Sequence, residues 1–154
     1  PFFLNDSKQL TPSARKRLVE TIASCSLIGI GSVDERTIDQ INILQATRLA
    51  MKQAVQALTK IPDFLLIDGT VTIDLPMAQK SIVKGDAKSA AIAAASIVAK
   101  VHRDALMESW HEQYPQYEFK EHKGYGTPVH LDRIRTFGPC PLHRRSFSPI
   151  KEWT

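Results

Sequence analysis

The chain has 154 residues, 43% hydrophobic and 23% charged, with a formal net charge of +4 and a sequence pI of about 9.2. That composition fits one globular domain and excludes a disordered chain, a fibrous repeat and a disulfide-stapled miniprotein. The mild basic excess suits a polyanionic partner without requiring one.

Thr11-Pro12 marks a helix start: threonine caps, and proline tolerates the first turn because its absent N–H would have no partner there. Leu18, Ile22 and Cys25 follow at helical spacing. Residues 26–33 (SLIGIGSV) are glycine-spaced and rich in β-branched side chains, which predicts a strand whose Gly29 and Gly31 allow close packing. From 42 to 58, apolar residues at Ile43, Leu44, Met51, Ala54, Val55 and Leu58 predict an amphipathic helix.

Residues 64–67 form an apolar run of strand length, ended by Asp68-Gly69 and followed by an extended stretch at 70–75. Local rules make this a hairpin with an Asp-Gly turn. A further strand is expected at 79–83. The longest helix is expected from 87 to about 110, with alanines suited to packing on a sheet. Thr127 caps a last helix that reaches about Phe137 and closes at Gly138-Pro139. Strands alternating with helices give an α/β architecture. We expect a single domain over 1–154, including a helical and basic tail from about 127 to 154.

Charge is unevenly placed. Between Arg133 and Lys151 lie Arg133, Arg135, Arg144, Arg145 and Lys151 with no acidic residue, and Lys8, Arg15, Lys16 and Arg17 make a second basic stretch. Composition by itself favours reading both as solvated faces. Cys25 and Cys140 belong to no paired motif, which argues against a zinc site or disulfide framework and for a reducing, cytoplasmic location. The uncharged stretch at 89–99 is too short to span a bilayer.

Two aspartates could carry chemistry. Asp104 falls in helical register with Val101, Ile97, Ala94 and Ala90, so its carboxylate lies on the apolar stripe and needs a cation nearby. A pair with Lys100 or Arg103 would also answer that need. Asp68 follows an apolar strand, the place where open α/β sheets gather ligands, unless the hairpin makes it a turn residue. Together they offer hard oxygen donors suited to Mg²⁺ or Mn²⁺. The loop His122-Lys123-Gly124-Tyr125-Gly126 joins permissive glycines to one aromatic able to stack on a sugar or base. The histidines show no metal-ligand helical spacing, and no nucleophile elbow is present.

Seven stretches in order resemble the bacterial type 2 ribonuclease H (ribonuclease HII) family: LNDSK at 4–8, NILQAT at 42–47, IDG at 67–69, VKGDAKS at 83–89, AAASIVAKVHRD at 93–104, HKGY at 122–125 and HRRSF at 143–147. The resemblance implies a ribonuclease H-like mixed β-sheet flanked by helices, and it outweighs the hairpin at Asp68. It implies an endonuclease that cuts RNA in RNA/DNA hybrids, and single ribonucleotides embedded in duplex DNA. The implied mechanism uses two Mg²⁺ or Mn²⁺ ions and leaves 5′-phosphate and 3′-hydroxyl ends. By the same resemblance Asp68 and Asp104 are catalytic metal ligands and Tyr125 packs on the deoxyribose beyond the RNA–DNA junction. Ser7, Lys8, Lys84, Arg144 and Arg145 then contact phosphates. The family's other two carboxylates lie in an Asp-Glu-Ala-Gly-Arg-Gly motif absent from this sequence, as are the fold's first two strands. The sequence therefore reads as N-terminally incomplete, a monomer impaired or inactive by itself, with a non-catalytic nucleic-acid-binding fragment as the alternative.

Overall fold

The computed structural model describes residues 11–153. Helix α1, Pro12–Cys25, begins as expected: the Thr11 hydroxyl accepts from the Ala14 amide at 3.2 Å and proline occupies the first turn. The strand expected at 26–33 is not one, since among the described residues this segment finds no ladder partner. Its glycines still serve close packing. A methyl group on Gly29 would lie 2.0 Å from the Ala54 carbonyl oxygen, and one on Gly31 1.9 Å from that of Ala50.

Those carbonyls belong to α2, Glu35–Gln56, which is broken at Asn42 (φ 67°, ψ 165°). The Asn42 carboxamide oxygen accepts from the Leu44 and Gln45 amides at 3.0 and 3.1 Å, capping the second half. The start expected at residue 42 is thus a true cap, and the turns before it carry no signal in the apolar spacing. That earlier part has its own cap, where the Asp34 carboxylate accepts from the Thr37 amide at 2.8 Å.

Strands β1, Phe64–Asp68, and β2, Ala78–Ile82, pair in parallel with Phe64 opposite Ala78 and Asp68 opposite Ile82. The hairpin reading is therefore overturned. The connecting residues do not form a second strand because β2 side chains claim their backbone. Gln79 donates to the Ile73 and Leu75 carbonyls at 2.8 and 2.9 Å and accepts from the Ile73 amide at 2.9 Å, while the Ser81 hydroxyl reaches the Val71 carbonyl at 3.0 Å. Buried Ile73 thereby joins Leu65 and Ile67 in a core flanked by Met51, Val55, Leu75 and Met77.

The long helix α3 spans Ala90–Gln113, starting later than predicted because Gly85–Ala87 forms a separate 3₁₀ turn. Its buried positions in the first half are Ile92, Ala93, Ile97 and Val98. Ala90, expected on that stripe, is exposed, and Ala94, Val101 and Asp104 are half-buried. Helices α4, Phe119–His122, and α5, Pro128–Phe137, follow; Thr127 caps α5 as predicted, its hydroxyl accepting from the His130 amide at 3.3 Å.

The chain divides into two compact units, Pro1–Val33 with Ile41–Val101, and Asp34–Gln40 with His102–Thr154. The core of the second comprises Met107, Tyr117, Phe119, Ile134, Cys140 and Ile150. Tyr117 completes its burial by donating its hydroxyl to the Gly138 carbonyl at 2.6 Å, so its polar atom is not left orphaned there.

Candidate functional site

In the first unit, the β1–β2 register brings Asp68, at the carboxyl end of its strand, beside the loop that leaves β2. The Asp68 Oδ1 accepts from the Gly85 amide at 2.8 Å, and the Gly69 amide extends the ladder to the Ile82 carbonyl at 3.0 Å. Lys84 takes a left-handed conformation (φ 55°, ψ 47°) that turns the chain so that the next amide faces the carboxylate. Gly85 suits that approach: a methyl group there would lie 2.6 Å from Ile92 Cδ1, which would have to turn away, and 3.3 Å from Asp68 Oδ1. Asp68 and Lys84 are both exposed. The carboxylate is thus oriented by a backbone donor through one oxygen, and its second oxygen remains a hard donor for a cation.

In the second unit, Asp104 is half-buried on α3 rather than fully enclosed, while Tyr125 is 59% exposed at the tip of its loop. Arg144 is half-buried with its guanidinium 3.8 Å from the centre of the Phe147 ring, and Arg145 is exposed. Burial pulls the Arg144 pKa below the ordinary arginine range, helped by the Arg103 charge and opposed by Asp39. A guanidinium keeps its charge at neutral pH even so. Ser7 and Lys8 lie outside the described residues.

Sequence reasoning missed Asp39. Its carboxylate accepts from the Arg145 and Ser146 amides at 2.7 and 3.0 Å and from the Ser146 hydroxyl, tying together residues more than a hundred positions apart. Burial raises the Asp39 pKa, but these donors and the Arg144 charge outweigh it, and the net effect is downward. The carboxylate fixes the backbone that presents both arginines. Only a nonlocal contact reveals this, and no spacing in the sequence carries it.

Also missed were three histidines that are buried together: His122, His130 and His143, each 6–7% exposed. The rings of His122 and His130 stack with centroids 4.0 Å apart, and His130 Nε2 lies 3.2 Å from His143 Nε2. Burial, with a smaller contribution from the neighbouring His130, drives the His143 pKa down to about 4; burial also lowers that of His130.

The donor chemistry at Asp68 suits Mg²⁺ or Mn²⁺, but its number does not complete a centre. Among the described residues no group of three or more histidine, cysteine or acidic side chains is placed to hold a metal ion. One carboxylate offers too little negative charge to offset two divalent ions.

A family model described as Ribonuclease HII matches residues 2–150. Among curated relatives named Ribonuclease HII, one from Bacillus pumilus is 54% identical over 149 residues, covering 96% of this chain and 58% of the relative. Another, from Geobacter sulfurreducens, is 51% identical over 150 residues, covering 97% and 69%. The chain therefore spans little more than half the length of the first of these. The crystal structure of the ribonuclease H2 from Pyrococcus horikoshii OT3 aligns with a TM-score of 0.72 at 23% identity, covering 97% of this chain and 79% of that one. This likeness shows a ribonuclease H-like α/β fold. With a family model spanning nearly every residue, and relatives that share half of them, the chain belongs to the ribonuclease HII family.

Proposed function

We propose that the protein is an endoribonuclease that hydrolyses the RNA strand of RNA/DNA hybrids and cuts at single ribonucleotides within duplex DNA, leaving 5′-phosphate and 3′-hydroxyl ends. Family membership supplies the class. The observation that carries the reading to a residue is Asp68, a strand-end carboxylate oriented by the Gly85 amide. Asp68 and Asp104 are assigned as ligands of Mg²⁺ or Mn²⁺, which when bound activates water and offsets charge on the leaving oxygen. Further ligands beyond these two complete the set.

Lys84, Arg144 and Arg145 contact phosphates, as do Ser7 and Lys8; such contacts position a duplex without reading its sequence. Tyr125, already exposed, packs on the deoxyribose past the junction and tests for a missing 2′-hydroxyl, the group that distinguishes RNA from DNA. The protein is read as a cytoplasmic monomer, and sedimentation as a dimer would remove the second term.

The test joins this chain to a family segment that carries the Asp-Glu-Ala-Gly-Arg-Gly motif. The joined protein should cleave a duplex containing one ribonucleotide in Mg²⁺ or Mn²⁺, and Asp68→Asn should abolish the cleavage. Full activity in that variant removes Asp68 from the site. Tyr125→Ala should lose about tenfold more on single-ribonucleotide junctions than on long hybrids, the size of one lost transition-state contact. Equal losses discard the junction role.

The absence of a three-ligand group among the described residues favours a second reading for the chain by itself, a hybrid-binding module without catalysis. Hybrid binding by the isolated chain, with no cleavage even after joining, selects that reading.

A further inference from the structure

The three buried histidines form a directed hydrogen-bond chain whose tautomers are dictated by backbone donors. The Cys140 amide donates to His143 Nδ1 at 3.0 Å, so this nitrogen is an acceptor and the proton of the neutral ring sits on Nε2. That Nε2–H faces His130 Nε2 at 3.2 Å, which must accept it. The His130 proton is then on Nδ1, 2.9 Å from the Tyr125 carbonyl oxygen, to which it donates. His122 is fixed the same way: the Gly124 amide donates to its Nδ1 at 3.1 Å, and its Nε2–H donates to the Tyr117 carbonyl at 2.7 Å.

Every acceptor position in this wiring needs an unprotonated nitrogen. A charged His143 would turn an N–H against the Cys140 amide, and a charged His130 would turn one against His143. Both ends of the loop that carries Tyr125 are held: the Tyr125 amide donates to the His122 carbonyl at 2.9 Å, and the Tyr125 carbonyl also accepts from the Thr127 amide at 2.8 Å. The rings pack against aromatic side chains and a thiol, and the Glu35 charge acts on that thiol. Tyr117 and Phe119 lie against the rings with centroids 5.0–5.9 Å away, and the Cys140 thiol is 3.1 Å from His143 Nδ1.

We propose that His130 and His143, with His122 stacked beside them, are positioning residues that fix the backbone of Tyr125 so that its ring stands ready at the substrate. The histidines are buried and touch nothing in solution; the exposed tyrosine is their output. The functional half of this inference rests on the junction role proposed above for Tyr125. The wiring does not, and it is tested separately.

Nitrogen-15 NMR of the imidazoles in the 154-residue chain, at neutral pH, reads each tautomer directly. The wiring requires neutral rings protonated on Nε2 in His122 and His143 and on Nδ1 in His130. A single ring in the other tautomer, or charged, overturns it. In the joined enzyme, His130→Leu should copy Tyr125→Ala, losing about tenfold more on single-ribonucleotide junctions than on long hybrids. His130→Asn, whose carboxamide N–H can take the place of Nδ1–H, should restore most of that selectivity. If the asparagine variant folds with an unchanged melting temperature yet is no more selective than the leucine variant, the positioning role is wrong. If Tyr125→Ala itself shows no junction preference, the junction reading fails, and the tautomers still decide the wiring.

Discussion

At the scale of single residues, the sharpest constraint is at Gly85. Its amide holds Asp68, and the space where a side chain would begin is already taken by Ile92 and by the same carboxylate. Ile92 can turn its terminal methyl away, but the aspartate cannot retreat without losing the hydrogen bond. Gly85→Ala should therefore cost about 1–2 kcal/mol, as overpacking does in a filled site, read as a lower urea midpoint at unchanged m-value. On the metal role proposed for Asp68 it should also weaken Mn²⁺ binding by the chain, because the orienting donor is displaced. An unchanged midpoint would show that the loop relaxes and that Gly85 is not pinned. Asp68 itself was legible in the sequence through its place after an apolar strand and through the family motif. Its hydrogen-bond partner was not, since 17 residues separate the two and only the strand register brings them together.

At the scale of elements, the contest between a hairpin and a parallel pair was decided by Gln79. An Asp-Gly dipeptide between two extended stretches satisfies every local rule for a tight turn. What local rules omit is that the residues after Gly69 meet three hydrogen bonds from one glutamine side chain, two donated and one accepted. That side chain acts as a substitute ladder and frees β2 to pair with β1. Gln79→Leu should therefore strip the Ile73 amide and the Leu75 carbonyl of this partner in a half-buried site, while the Ile73 carbonyl keeps the Leu75 amide, costing about 2–4 kcal/mol. Gln79→Glu keeps only the acceptor and sets its charge against the Ile73 and Leu75 carbonyls, so its urea midpoint should also fall. If both variants denature like the wild type, the connection is held by Ile73 burial alone. The helices were more legible because their signals are local: Thr11, Asn42 and Thr127 each cap where the sequence placed a start. The strand at 26–33 failed for the opposite reason. A strand is a relation between two segments, and its composition records only one of them.

At the scale of the whole molecule, acid stability differs between the two units because their titrating groups differ. In the first, the Asp74 carboxylate is held below its ordinary range mainly by its hydrogen bond and charge pairing with Lys52, but it is almost fully exposed and its titration carries little stability. In the second, burial holds His143 near pKa 4 against an ordinary 6.5, and His130 also below it. Well above pH 6.5 both folded and unfolded forms of these rings are neutral, and pH does not act on them. Between 6.5 and 4 the unfolded chain binds protons that the folded one refuses, so stability falls as pH falls. His143 alone accounts for a loss of up to about 3 kcal/mol across that window, since each tenfold change in proton affinity is worth about 1.4 kcal/mol. Asp39 and Asp34, whose pKa values are lowered from 3.8, lose their contribution only below that value, so the two effects separate on the pH axis. Both tryptophans, Trp110 and Trp153, lie in the second unit, and intrinsic fluorescence therefore reports its unfolding. The urea midpoint followed by fluorescence should be flat from pH 8 to about 6.5 and then fall steadily toward pH 4. In His143→Gln that slope should be shallower. The carboxamide cannot take a proton, so the variant starts less stable near neutral pH but has less left to lose in acid. A wild-type midpoint that stays level down to about pH 4.5 would mean the imidazoles take up protons in place, and the neutral chain through His143 and His130 to Tyr125 would not be what holds this unit together.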